Sequence, residues 1–182
     1  MNKFIIVILI LFFSLSNSIV VLADKVEDAY FISLMNGMEQ VVRTYRENLK
    51  SVLEDKKFNP KLDCQETSKG IELFQKFSIM INEIEVTPKL KEWQRLYKVL
   101  LRERRAMSAK LEEVCYAKKL TPKDDEHFES ISKRIDLLSY QVSVEGKKHK
   151  DYFIELEKEV SDKDIEKFET EFLERLKKLN ID

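Results

Sequence analysis

Few residues in this chain could carry chemistry, and two of them stand one helical turn apart. Glu145 and His149 fall on a seam that is otherwise apolar, running through Phe128, Ile131, Ile135, Leu138 and Val142 to Tyr152, Leu156 and Val160. A helix there turns the carboxylate and the imidazole the same way. Such a pair can share a metal ion. His149 together with Met35 or Met38 from a facing helix also offers the axial ligands that a b-type haem accepts. Against this stands the polarity of the stretch, since Gly146, Lys147, Lys148 and Lys150 surround the pair and favour a broken or exposed helix. The sequence therefore assigns no cofactor, metal or catalytic residue, and keeps Glu145 and His149 as candidate ligands only. His127 follows Asp124, Asp125 and Glu126, but consecutive helical residues point in different directions and cannot converge on one ion. Acids in a first turn are explained by the helix dipole.

Cys64 and Cys115 are the only cysteines, and they read as one disulfide in a chain that leaves the reducing cytoplasm. A metal site would want more Cys or His nearby, and a reactive thiol would want an activating neighbour. Arg102, Arg104 and Arg105 form the one dense basic cluster. Arg104 lies on a seam, so a structural ion pair with Glu145 or another inward carboxylate is the expected role, ahead of anion binding. No phosphate loop, Ser-His-Asp set, Cys-x-x-Cys-His or His-Glu-x-x-His motif occurs, and the chain is read as non-enzymatic.

The elements that must position these residues are helices. Apolar residues recur at steps of three and four in Val26, Tyr30, Leu34, Met38, Val41 and Tyr45, which predicts a helix over 24–54. Residues 55–63 hold Asn59 and Pro60 and are expected to form a loop before the second helix. Thr87-Pro88 and Thr121-Pro122 are expected helix starts, because Thr caps free amides and Pro suits the first helical position. They bracket a third helix with the stripe Leu90, Trp93, Tyr97, Leu100, Arg104 and Met107. The seam of Glu145 and His149 makes a fourth helix, and Ser161 with Asp164 opens a fifth carrying Ile165, Phe168, Phe172, Leu176 and Leu179. Around the turn at 86–88 the two cysteines differ in offset by five residues, or roughly 7 Å of rise, which a disulfide can span if Cys64 just precedes its helix.

The expected fold is thus all-α, an antiparallel bundle of four to five long, coiled-coil-like helices. These seams can close within one chain or between two copies as a homodimer.

Ahead of the bundle, Lys3 and the apolar run 4–13 look like a secretory leader, with Val21 and Ala23 as the small residues before a cut at Asp24. Retained whole, residues 4–23 would instead form a membrane anchor. Cleavage removes 23 of 182 residues and leaves 159 as a single domain, 24–182. Lys plus Arg then falls from 32 to 31 against 33 Asp plus Glu, a net charge of −2. That balance excludes a nucleic-acid binder, which needs a basic face. The expected place of work is the periplasm or the exterior.

Leu120-Thr121-Pro122-Lys123-Asp124 resembles the Leu-Thr-x-x-Gln motif of the small periplasmic helical chaperones related to Spy and CpxP. Asp124 stands where that family has Gln, and one copy is present in place of the usual pair. The likeness covers five residues of 182 and implies a non-enzymatic chaperone holding client proteins on a helical surface. Protein–protein interaction in the cell envelope is the leading functional expectation. A small-ligand, haem or metal carrier at Glu145 and His149 is the alternative.

Overall fold

Helix formers dominate the chain, with only 3 Gly and 3 Pro to interrupt them. The computed structural model is correspondingly all-helical. It describes residues 3–54, 60–117 and 121–178, with side chains described from residue 22 onward except 48–63 and 66. Six helices follow in order: α1 (Lys3–Glu54), α2 (Pro60–Glu83), α3 (Lys91–Ala117), α4 (Pro122–Lys148), α5 (Lys150–Glu159) and α6 (Asp162–Lys178). The described residues contain no strand. The expected cut between Ala23 and Asp24 falls inside α1. Side chains 1–21, on which the leader and anchor readings rest, lie outside the described residues. Among the described residues no helix is long and apolar enough to cross a membrane.

Helix α2 begins earlier than its sequence suggested. Residues 60–63 are helical, not loop, because Pro60 occupies the first position of α2, where its missing N–H costs nothing. Cys64 consequently lies inside the helix. It still bonds to Cys115, with Cα atoms 5.6 Å apart, so the disulfide closes the end of the α2/α3 hairpin opposite its turn. At the turn, Gln94 donates its side-chain amide to the carbonyls of Ile81 (2.9 Å) and Ile84 (2.7 Å), satisfying acceptors that the end of α2 leaves unpaired.

Thr87 does not open α3 as expected. The helix starts at Lys91, and Thr87 directs both its amide (2.9 Å) and its hydroxyl (2.6 Å) to Asp28 of α1. Thr121 does cap α4: its hydroxyl accepts from the Asp124 amide while the Asp124 carboxylate accepts from the Thr121 amide, the reciprocal box that Thr-x-x-acid can form. Ser161 and Asp164 repeat it at α6.

The predicted fourth helix is two helices, which accounts for the sixth element. At His149 the amide turns back to the Gly146 carbonyl, a tight i−3 bond of 3.1 Å, and α5 restarts when the Phe153 amide reaches the His149 carbonyl. This break lets α5 and α6 fold against α1. Tyr30 meets Phe168 at 5.2 Å and Phe172 at 5.4 Å between ring centroids, while Lys25 pairs with Glu155 and Glu159.

The core gathers Phe31, Met38 and Val42 of α1, Ile81 of α2, Tyr97 and Leu101 of α3, Ile131 of α4 and Phe172 of α6, all essentially inaccessible to solvent. Each such apolar side chain contributes roughly 1.5–3 kcal/mol by leaving water.

Candidate binding groove between α1 and α4

Helix α3 packs closely along α2 and α4, whereas α1 packs along α2, α5 and α6. Side chains of α1, α3 and α4 together line a cavity, with α3 at its base. Its base is made of the buried Trp93, Tyr97 and Leu100; the walls are buried Met35 from α1 and half-buried Val142 from α4, and Phe153 of α5 lies at one end. This cavity measures about 510 Å³. Beyond Arg104 a second cavity of about 290 Å³ continues past Met107 to Leu111, with Arg46 and Asp136 on opposite walls.

Arg104 stands between the two cavities, buried to 4% exposure. Its guanidinium holds Glu39 of α1 with both terminal nitrogens, at 2.5 and 3.1 Å, and the Tyr97 hydroxyl donates to the same carboxylate at 2.9 Å. Sequence reasoning expected an inward carboxylate and named Glu145 first; the partner is Glu39. Burial pushes the Glu39 carboxyl up, but the bonds and charge of Arg104, the Tyr97 hydroxyl and Arg46 outweigh it, and the net displacement is downward. Burial, then the Glu39 charge, hold the Tyr97 phenol well above its ordinary range. Burial first, then the like charge of Arg104, lowers the Arg46 guanidinium, against the opposing charges of Glu39 and Asp136.

At that far end the Trp93 indole lies 5.3 Å from Phe153 and 6.3 Å from His149 between ring centroids. Glu145 and His149 do come together, with Oε1 and Nε2 3.4 Å apart. Glu145 also holds Lys148 at 2.6 Å. The described residues contain no group of three or more His, Cys, Asp or Glu arranged to hold a metal ion. Buried atoms without a hydrogen-bond partner include Trp93 Nε1, Arg104 Nε and His149 Nε2. His127 is exposed in the first turns of α4, away from this groove.

Sequence reasoning missed several residues that shape the region. Glu39 and Asp28 lie among the inward positions Phe31, Met35, Met38 and Val42, and a carboxylate next to an apolar face was the available signal. Asp28 is fully buried and accepts from Thr87 and, at 2.6 Å, from the Tyr152 hydroxyl. Nothing in the sequence marked Gly146 as the site where Trp93 approaches the backbone. Comparison with family models, curated proteins and solved structures returns no match.

Proposed function

We propose that this chain is an exported, non-enzymatic helical protein of the cell envelope, periplasmic or secreted. Residues 24–182 would form one antiparallel bundle behind a cleaved leader at 1–23. It acts by protein–protein contact, and the groove between α1 and α4 receives a segment of its partner. The observation that carries this reading is the cavity of about 510 Å³ between α1, α3 and α4, edged by half-buried Ser139, Val142 and Phe153 over buried Trp93, Leu100 and Met35. Such a cavity suits the apolar side chains of a partner segment. The Cys64–Cys115 disulfide is compatible with an oxidising compartment.

Photo-crosslinking in the producing cells tests it. A photoreactive side chain at Ser139, inside the groove, should give a discrete adduct with one protein, whereas the same group at exposed Glu157 on α5 should not. Equal labelling from both positions, or none from Ser139, would remove the groove as the contact surface.

A second reading, a small-ligand, haem or metal carrier centred on Glu145 and His149, draws on their 3.4 Å approach. Metal analysis and an absorption spectrum of the purified protein, beside His149→Ala, separate the two. A stoichiometric signal lost in the variant would make the protein a carrier.

A further inference from the structure

The charged groups that line the cavity between α1, α3 and α4 are sorted by end. At one end Glu39, the one carboxylate of the lining, is held by Arg104 through both terminal nitrogens. At the other, beside Trp93 and Phe153, stand Lys147 and Lys150, both exposed. Glu145, on the same turn of α4, is taken by Lys148, and among the described residues neither Lys147 nor Lys150 has an ion-pair partner. The buried atoms of the lining that lack a hydrogen-bond partner, Trp93 Nε1 and Arg104 Nε, are both donors. The wall therefore adds positive potential and no unmatched acceptor.

Size limits the occupant. The Arg104–Glu39 bridge separates this cavity from the smaller one beyond it, which leaves one chamber of about 510 Å³, within the range of small-molecule sites. Its base from Trp93 to Arg104 covers 11 residues of α3, about 16 Å of rise. A polypeptide helix of that length, about 10 Å across with its side chains, would need roughly twice the volume or more. One alkyl chain or a flat ring system fits.

We infer that the cavity binds a small anionic amphiphile, its apolar body among Trp93, Val142 and Phe153 and its carboxylate or phosphate head at the mouth on Lys147 and Lys150. Burial of the body supplies the affinity, and the unpaired lysines select the sign of the head. Neither Glu145 nor His149 lines the cavity, so this site is distinct from a metal or haem held by that pair. The inference goes beyond the partner-contact reading and does not rest on it. A ligand and an inserted partner side chain would compete for the same space.

Trp93 is the only tryptophan of the chain, so its emission reports on the base of the cavity. Dodecanoate, dodecyl phosphate and dodecyltrimethylammonium, each kept below its micelle concentration, are titrated into the natively processed protein. One or both anions should shift Trp93 emission saturably at one equivalent, and the tighter of the two names the head group. The cation should bind about tenfold more weakly or not at all, the scale of two surface ion pairs. That gap should narrow at high ionic strength. Lys147→Gln with Lys150→Gln, both at exposed positions, should weaken the anion by about tenfold and leave the cation unchanged. Val142→Phe should fill the chamber and abolish the response with the circular dichroism unaltered; if that variant does not fold, the lysine pair still decides.

Equal binding of anion and cation would overturn the inference. An anion response indifferent to the lysine substitutions would do the same, as would a response that never saturates or none at all. Each of these results leaves the crosslink from Ser139 as it was, so failure here is separate from failure of the partner reading.

Discussion

Trp93 reaches the backbone of Gly146 so closely that a Cβ built on the glycine would stand 2.8 Å from the indole Cζ2. This contact joins α3 to the last turns of α4, beside the break at His149 and at the Phe153 end of the cavity. Glycine is required here by the approach of a rigid, buried ring, not by an unusual backbone angle.

Gly146→Ala tests that contact by its sign. In an open helix the change would stabilise by about 1 kcal/mol through helix propensity. Against Trp93 it should destabilise by about 1–3 kcal/mol, the usual cost of overpacking, and shift the Trp93 emission. Urea unfolding followed by circular dichroism decides, and a stabilised variant would mean that the indole gives way freely.

Removing Arg104 leaves the Glu39 carboxylate and the Tyr97 hydroxyl without their buried cation. Glu39 is partly solvated, so Arg104→Met is expected to cost about 2 kcal/mol, the scale of hydrogen bonds to charged groups. In a double-mutant cycle with Glu39→Gln the two losses should be less than additive. Strict additivity would show that the pair contributes nothing as a pair.

The same pair predicts an acid limb in stability. The Glu39 carboxyl is displaced below its ordinary value of 4.5, so the folded state binds its proton less readily than the unfolded one. Its contribution is fully present above 4.5 and is lost as pH falls through the lower, folded value. Thermal melts between pH 6 and 3 should show a shallower decline for Glu39→Gln than for the wild type. Identical slopes would place the acid sensitivity elsewhere.

Asp28 is fully buried and faces donors only, from Thr87 and Tyr152. Asp28→Asn turns an amide N–H₂ toward one of them, with an expected loss of about 2 kcal/mol. Tyr152→Phe should cost about 1 kcal/mol and loosen α5 from α1, read as faster amide exchange in α5. Unchanged exchange would show that the aromatic packing of α6 alone holds that end.

Joining residues 51 apart in sequence, the disulfide limits the freedom of the unfolded chain. Replacing both cysteines with Ser should lower stability by roughly 4 kcal/mol on the chain-entropy argument. Denaturant midpoints of wild type and variant, each with its own slope, measure it.

Legibility from sequence followed the range of the interaction. The box at Thr121 and Asp124 and that at Ser161 and Asp164 involve residues three apart, and their geometry is set once a helix starts. The disulfide was readable because only two cysteines exist and one hairpin places them level. The inward face of α1 was read with an error of rotation. Val41 was placed on the stripe and is 45% exposed, while Val42 at 1% takes its place. An apolar arc that faces α2, α5 and α6 at once is wide, and periodicity alone does not choose its centre.

By itself, then, the sequence determined that the chain is helical, where two of its helices are capped, which cysteines pair and that Arg104 needs an acid. Periodicity and capping are properties of a single helix, so no neighbour has to be known. Tertiary structure alone decided that the acid is Glu39, 65 residues away, that Asp28 holds both Thr87 and Tyr152, and that α1, α3 and α4 leave a cavity between them. Those outcomes depend on the rotation and rise of one helix against another. They follow from the summed packing of side chains such as Trp93 on Gly146 and Tyr30 on Phe172, which no local spacing encodes.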